Sequence, residues 1–243
     1  MQKLAFVTGG SRGIGRGIAR RLLDDGYRVA IGYNTNHTLA QEAFKDDKNA
    51  YIIQVDISSR KSIRHALEET HNHFNQPVNI LINNAAISQE KPFETITDDD
   101  WDSMMTINLR GVFTFSQEVI PEMQNQRWGR IINITSIGGQ WGGFNQVHYA
   151  AAKAGVINFT RSLAKLFSAD GILTNAISIG LVSTDMSAQE LNSDHGKEKI
   201  KNIPAGRIGT VEEIAGTVSF LCRDDSSYIT GQTINLNGGM YFD

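Results

Sequence analysis

Short apolar runs alternate along the chain with longer amphipathic stretches. The apolar runs, rich in β-branched residues, predict strands at 3–8, 27–32, 50–55, 79–83, 130–135, 172–178 and 233–236. Most are separated by segments long enough for a helix, at 14–25, 60–74, 98–126 and 148–169. This alternation is typical of βαβ units, so we predict an α/β, doubly wound parallel sheet with helices on both faces. Without a repeat or a flexible linker, residues 1–243 should form a single domain.

One stretch interrupts this pattern. Residues 183–202, "STDMSAQELNSDHGKEKIKN", are too polar for the core. They predict either a solvated connection or a mobile cover over a site.

Composition narrows the function classes. A net charge of −3 gives no overall attraction to nucleic acid or to an anionic membrane. The one cysteine, Cys222, excludes an internal disulfide framework, and its place at the end of an apolar helical run predicts a packed thiol. No run approaches the roughly 18 apolar residues of a spanning helix, and the N-terminal apolar run is too short for a signal peptide. We therefore expect a cytoplasmic protein.

A glycine-rich turn follows the first strand. "TGGSRGIG" (8–15) places Gly9, Gly13 and Gly15 where the chain enters its first helix. Glycines allow a tight turn and bring backbone N–H groups close to a diphosphate at the positive helix end. The pattern predicts dinucleotide binding, and a tight turn without a ligand is the alternative.

The residues after the second strand indicate which dinucleotide. An NAD site usually carries an acid there to bind the ribose 2′-hydroxyl, but residues 28–41 contain no Asp or Glu. Arg12 in the glycine turn, with Asn34 nearby, can instead meet a 2′-phosphate. We therefore predict NADP (NADPH), unless Arg12 is only a solvated turn residue.

A tyrosine and a lysine stand one helical turn apart in "HYAAAK" (148–153). The alanines favour a helix, and residues four apart share a face, so Tyr149 and Lys153 should point into the same space. By itself this pattern also fits a surface pair on a packing helix.

Five motifs in order, "TGGSRGIG", "NNAA" (83–86), "INLRG" (107–111), "ITS" (134–136) and "YAAAK" (149–153), resemble the short-chain dehydrogenase/reductase family. The resemblance implies a Rossmann-type sheet, a nicotinamide cofactor and the catalytic residues Asn108, Ser136, Tyr149 and Lys153. The cofactor contacts that it implies, together with those predicted above, are Gly9, Gly10, Ser11, Arg12, Gly13, Ile14, Gly15, Asn34, Asp56, Ile57, Asn83, Asn84, Ala85, Tyr149, Lys153, Val182 and Thr184. The chain departs from the family at Ile179, where a proline is usual, and at Ala86, where a glycine is usual.

The resemblance implies reduction of a ketone, with Tyr149 as the proton donor. We expect Lys153 and an oxidised nicotinamide to lower the pKa of the phenol by about three units, which corresponds to roughly 4 kcal/mol. Ser136 would orient the carbonyl, Lys153 would hold the cofactor ribose, and Asn108 would position a water. Otherwise, Ser136 caps a strand end and Asn108 is a satisfied helix polar group.

The substrate prediction rests on finer resemblance. Segments 126–131, 138–149 and 204–242 are similar to 3-oxoacyl-acyl-carrier-protein reductases and acetoacetyl-CoA reductases. This implies a 3-oxoacyl thioester contacted by Ser136, Gln140, Phe144, Gln146 and Tyr149. The alternatives are another small ketone, such as a sugar, polyol or steroid, and a non-catalytic NADP-binding regulatory protein.

Two further expectations concern partners. Carrier-protein reductases have two basic residues flanking the cleft; Arg127 matches one, but Asp170 stands in place of the other. The resemblance also implies a homotetramer that pairs helices 98–126 and 148–169. The helix over 148–169 carries apolar residues on more than one stripe, which agrees with a tetramer. These residues are Val156, Phe159, Leu163 and Phe167.

Overall fold

Seven parallel strands form one sheet in the order β3-β2-β1-β4-β5-β6-β7. The computed structural model describes residues 2–183, 198 and 200–242. The strands are β1 Leu4–Val7, β2 Arg28–Tyr33, β3 Ala50–Gln54, β4 Ile80–Asn83, β5 Gly129–Ser136, β6 Ile172–Ile179 and β7 Thr233–Leu236. All seven predicted strands are confirmed, each within one residue at either end.

The helices are α1 Gly13–Asp24, α2 His37–Phe44, α3 Arg60–Phe74, α4 Asp98–Met105, α5 Gly111–Gln126, α6 Gly138–Trp141, α7 Val147–Phe167 and α8 Val211–Cys222. Single 3₁₀ turns occur at Phe93–Thr95, Ser168–Asp170 and Asp224–Ser226. Helices α2 and α6 were not predicted, because they are too short to carry a clear helical period.

The side chains of successive strand residues are buried on opposite faces of the sheet. Ala5 and Val7 of β1 belong to a core covered by α1, α2 and α8. Leu4 and Phe6 belong to a second core, covered by α3, α5 and α7. Helices therefore cover both faces, which explains the nearly continuous apolar strands and confirms the Rossmann-type α/β fold.

The predicted helix over 98–126 is interrupted. Thr97 and Asp100 form a capping box at the start of α4, and the first turn consists of three aspartates. At Thr106–Arg110 the backbone adopts one π-helical turn before α5 begins. Such bulges often occur at functional sites, and this one directs Asn108 into the interior, where it is fully buried.

The chain itself covers part of the apolar surface of α7. Val156 and Leu163 are buried within the chain itself. Phe159 and Phe167 pack, partly buried, against the core beneath α3 and α5. The sequence argument for a second buried face on α7 is therefore wrong for Val156 and Leu163, whereas Phe159 and Phe167 stay partly exposed, and the homotetramer stays a prediction. Phe113 of α5 and both Val147 and Leu166 of α7 are exposed apolar side chains.

The surroundings of Cys222 and the helix lengths bear on the predictions made from composition. Cys222 is buried, and burial raises the pKa of its thiol to about 12, so the packed thiol is confirmed. Within the described ranges, no helix has the length and apolar character needed to cross a membrane.

Candidate active site

A cleft of about 600 Å³ opens at the carboxyl ends of the strands. One end is formed by residues 33–36 at the carboxyl end of β2, and the other contains Tyr149 and Lys153 of α7. Ligands of doubly wound sheets bind at this edge, where the strand order reverses, here between β1 and β4.

The glycine turn forms the wall between the two ends. Gly9 and Gly13 have φ of +64° and +52°, a region that favours glycine. A Cβ on Gly15 would lie 2.2 Å from the carbonyl oxygen of Gly9, so only glycine fits there. The Nδ2 of Asn84 donates to the carbonyls of Thr8 (3.0 Å) and Gly9 (3.2 Å), which fixes the turn against the end of β4.

The start of α1 suits an anion. In the described chain, Arg12 at the N-cap provides no side-chain cap, and the first turn has no acidic residue. The helix therefore directs its positive end to the cleft, as anion sites at helix N-termini do.

The β2 end of the cleft carries little negative charge. Asp56 is the only carboxylate among the described lining residues, and its Oδ1 accepts hydrogen bonds from the backbone and hydroxyl of Ser58. Arg12 is exposed and lines the same cleft as Asn34.

Tyr149 and Lys153 face the cleft together, with the lysine Nζ 5.6 Å from the centre of the phenol ring. The Nζ of Lys153 donates to the carbonyl of Ile134 at 3.0 Å. Thr135 Oγ1 donates to the Lys153 carbonyl at 3.1 Å and so fixes α7 to β5. Burial lowers the pKa of the Lys153 ammonium to about 8.

Ser136 ends β5 beside the phenol. Its Oγ accepts a hydrogen bond from the backbone N–H of Gly138 at 3.2 Å, and its hydroxyl also hydrogen-bonds Tyr149. Burial raises the pKa of Tyr149, and the bond from Ser136 lowers it by less. In the chain alone burial dominates the pKa of Tyr149 and the Lys153 ammonium is bonded to Ile134, so the lowering expected from Lys153 together with an oxidised nicotinamide stays a prediction.

Asn108 holds the loop after β4. Its Oδ1 accepts from the backbone N–H of Ile87 at 2.9 Å, and its Nδ2 donates to the Ile87 carbonyl at 2.8 Å. Ile87 and Ser88 line the cleft, so Asn108 shapes it from behind. The role of Asn108 in positioning a water remains a prediction.

The predicted substrate residues lie between β5 and α7, beside Ser136 and Tyr149. Gln140 Oε1 accepts from the Ser178 hydroxyl at 2.5 Å, and Gln146 Nε2 lies 3.5 Å from Ser88 Oγ. Phe144 is 94% exposed. Of the five predicted substrate contacts, only Tyr149 lines the 600 Å³ cleft itself.

Three predicted cofactor residues lie outside the cleft lining. Gly10 donates its N–H to Gly32, and Val182 is buried in a bridge with Gly209. Asn83 is buried and donates to Asn133 Oδ1 at 2.8 Å, so it joins β4 to β5. Thr184 and most of the polar stretch 183–202 lie outside the described residues.

The other predicted cofactor residues do line the cleft, together with several that sequence reasoning missed: Tyr33, Thr35, Asn36, Val55, Ala86, Ile87, Ser88, Ile107, Ile134, Thr135 and Ile179. Most of these follow or end predicted strands. The rule that ligands bind at carboxyl ends would have found them without any motif.

The two departures from the family pattern leave the local backbone intact. Ala86 does not have a positive φ, so its methyl group is tolerated. Ile179 accepts a backbone hydrogen bond from Ile137, and Gly180 donates one to Leu236, both at 3.0 Å. These bonds hold the turn after β6 without proline.

Arg127 and Asp170 lie at the opposite edge of the sheet, next to the amino ends of β5 and β6. Arg127 Nη2 donates to the carbonyl of Ala169 at 3.0 Å, and Asp170 accepts from Gln124 at 2.7 Å. The eight residues of β5 separate Arg127 from Ser136 by about 25 Å. The expectation that this pair flanks the cleft is therefore wrong within one chain.

The sequence is similar to a known family of reductases over nearly its whole length. The family model described as enoyl-(acyl carrier protein) reductase matches residues 9–241. The chain is 39% identical to the 3-oxoacyl-[acyl-carrier-protein] reductase FabG of Staphylococcus epidermidis, over 99% of this chain and 100% of that protein. It is 41% identical to the FabG proteins of Aquifex aeolicus (98% and 97% covered) and Haemophilus influenzae (98% of each).

Proposed function

The chain belongs to the short-chain dehydrogenase/reductase family, and from this premise we propose that it reduces 3-oxoacyl thioesters to 3-hydroxyacyl thioesters with NADPH. Such a reaction serves fatty-acid or related acyl-chain synthesis. The observation that carries the proposal is that Tyr149 and Lys153 meet at one end of a dinucleotide-sized cleft, with Ser136 hydrogen-bonded to the phenol beside it. The names of the relatives support the thioester substrate.

The residues of the cleft fit NADPH. The uncapped end of α1 suits the diphosphate, and the contact of Gly15 with Gly9 keeps the turn before this helix end tight. The β2 end lacks an acid that would repel a 2′-phosphate, and Arg12 can bind one. When bound, NADPH supplies the hydride that reduces the carbonyl carbon.

The chain's own residues supply the proton and the orientation. The Ser136 hydroxyl donates a hydrogen bond to the carbonyl oxygen, and Tyr149 transfers its phenolic proton to the same oxygen as the alkoxide forms. Lys153 holds positive charge beside the phenol, and an opposite charge favours the phenolate that remains. Lys153 is buried and Tyr149 partly buried, and limited access of water strengthens each of these interactions.

Arg12→Ala should reduce the preference for NADPH over NADH by about 10–100-fold in kcat/KM, the size of a hydrogen bond to a charged group. Arg16→Ala is the matched control, since Arg16 is also exposed and lies one turn further along α1 but does not line the cleft. Steady-state rates with both cofactors measure the ratio. An unchanged ratio in Arg12→Ala rules out the phosphate contact.

A carrier protein docked at Arg127 would lie about 25 Å along β5 from the cleft of the same chain. We propose that it serves the cleft of a second copy, in a homotetramer. Sedimentation at micromolar concentration then gives a species of four chains, and a monomer contradicts this arrangement.

Arg127→Glu should raise KM for a carrier-bound substrate by about tenfold, in a salt-sensitive way, and leave the CoA analogue unchanged. Asp170→Arg should lower KM for the carrier substrate, because it removes a charge that repels an acidic partner. If neither variant separates carrier from CoA, the protein does not recognise a carrier there. Asp170 and the net charge of −3 oppose an acidic carrier, and acetoacetyl-CoA would then be the proposed substrate, with the loop holding Gln140, Phe144 and Gln146 against its acyl–pantetheine arm.

The function itself is tested by steady-state NADPH oxidation with four substrates: a 3-oxoacyl carrier protein, acetoacetyl-CoA, an enoyl thioester and a simple ketone. The proposal requires both oxo thioesters to have a higher kcat/KM than the other two. Faster turnover of the enoyl thioester would support the reaction in the family model's description instead. No turnover, with NADPH bound, would favour a regulatory protein.

A further inference from the structure

The residue before Tyr149 is a fully buried histidine. His148 Nε2 lies 2.8 Å from the Oε1 of Gln89, in the loop after β4. The Nε2 of Gln89 donates to Asp100 Oδ1 at 2.9 Å. A chain of hydrogen bonds therefore runs from the capping box of α4, through the loop, to the first turn of α7.

Asp100 fixes which group donates and which accepts in each of these hydrogen bonds. Lys91, then the backbone of Thr97, hold the pKa of Asp100 well below its usual range, so the carboxylate only accepts hydrogen bonds. The amide nitrogen of Gln89 must face Asp100, and its oxygen must face His148. His148 therefore donates through Nε2–H. Its Nδ1 is buried without a hydrogen-bond partner among the described residues.

An unpartnered buried nitrogen costs stability, and an apolar side chain would avoid that cost. Packing alone therefore does not explain a histidine at this position. The hydrogen bond to Gln89 is the one described interaction that the imidazole provides.

The first turn of α7 needs such an anchor. Its N-cap, Gln146, makes no side-chain capping bond in the described structure, and its first turn carries no acid. Tyr149 is the third residue of this turn, and uncapped helix ends fray. The loop to which His148 binds is itself well held, because Asn108 pairs with Ile87 and the Lys91 N–H donates to Asn145 at 2.7 Å.

We infer that His148 is a positioning residue for Tyr149: through Gln89 and Asp100 it fixes the first turn of α7 against the cleft-lining loop, so that the phenol meets the carbonyl oxygen. This inference rests on the proposed function, in which Tyr149 is the proton donor. A displacement of about 1 Å at a reacting group can cost up to 10²-fold in rate.

Three variants test the inference. His148→Leu removes the donor and keeps an apolar side chain of similar volume, and His148→Gln places an amide N–H near the position of Nε2. His71→Leu, at an exposed histidine of α3, is the matched control. We expect kcat to fall by about tenfold or more in His148→Leu, to recover in His148→Gln and to be unchanged in His71→Leu.

The NADPH dissociation constant and the thermal midpoint of His148→Leu should stay close to those of the wild type, because only the reacting geometry is lost. Gln89→Met should reproduce the loss, and the double variant His148→Leu/Gln89→Met should lose no more than either alone. Unchanged kcat in His148→Leu overturns the inference. The inference is also overturned if kcat falls in His148→Leu but does not recover in His148→Gln, while His148→Leu binds NADPH more weakly and has a lower thermal midpoint.

Failure of the proposed function gives a different result. In that case, the wild type itself does not turn over the oxo thioesters. The same variants are then compared with whichever ketone the wild type reduces, or, without any turnover, by the protection from hydrogen exchange of the Ala150 amide, which donates to the Gln146 carbonyl at 2.8 Å in the first turn of α7. Equal protection in His148→Leu and the wild type would then overturn the inference.

Discussion

Tyr149→Phe is expected to lower kcat by about 10²–10⁴-fold, the usual contribution of a general acid. The phenol oxygen is the proton donor of the proposed reaction, and phenylalanine removes only that oxygen. The ring and its place on α7 remain, so the NADPH dissociation constant should change little. Steady-state kinetics and a fluorescence titration with NADPH measure the two effects separately.

Tyr228→Phe makes the same change at a fully exposed tyrosine and should be indistinguishable from the wild type. A Tyr149→Phe variant that retained more than about a tenth of wild-type kcat would exclude the phenol as the acid. Loss of NADPH binding in the same variant would show instead that the cleft had been distorted.

Lys153→Met should have the second largest effect on activity, a loss of about 10²-fold in kcat/KM. Burial alone raises the pKa of Tyr149, so the phenol needs a neighbouring positive charge to release its proton near neutral pH. Methionine fills a similar volume but carries no charge. If activity in Lys153→Met stayed within a few-fold of wild type, the ammonium would not assist the phenol.

The same variant makes a prediction about stability. The pKa of Lys153 falls from 10.5 to about 8 on burial, so below pH 8 the folded protein holds a buried charge that destabilises it. Between pH 8 and 10.5 the folded state releases this proton before the unfolded state does, and the free energy of unfolding of the wild type rises by about 3 kcal/mol.

Lys153→Met lacks this titration. Its advantage in stability over the wild type should be greatest near neutral pH and should shrink as the pH approaches 10.5. Urea unfolding of both proteins across this range measures the difference. A difference that stayed constant with pH would contradict the buried charge.

The strands and the cleft could be predicted from sequence because both follow from simple patterns. Apolar runs such as 130–135 are buried on both faces, and this alone identified β5 within one residue at each end. The glycine turn was equally clear, since the contact between Gly15 and Gly9 excludes any side chain.

Other features depend on contacts that periodicity does not encode. The π-helical turn around Asn108 keeps the helical pattern of 98–126 almost unchanged, although it determines that Asn108 bonds Ile87. The pKa of Tyr149 depends on its burial and on its hydrogen bond with Ser136, and a spacing of four residues between Tyr149 and Lys153 fixes neither. The position of Arg127 required the sheet topology, because motif order does not say which edge of the sheet a residue occupies.

The most direct measurement of the central claim follows deuterium from NADPH labelled at its transferable C4 position into the product of a 3-oxoacyl thioester. We predict a 3-hydroxyacyl thioester that carries one deuterium, on C3, the carbon that bore the ketone, as located by mass spectrometry. Label transferred only to an enoyl thioester, or an unlabelled product, would contradict the proposed reaction.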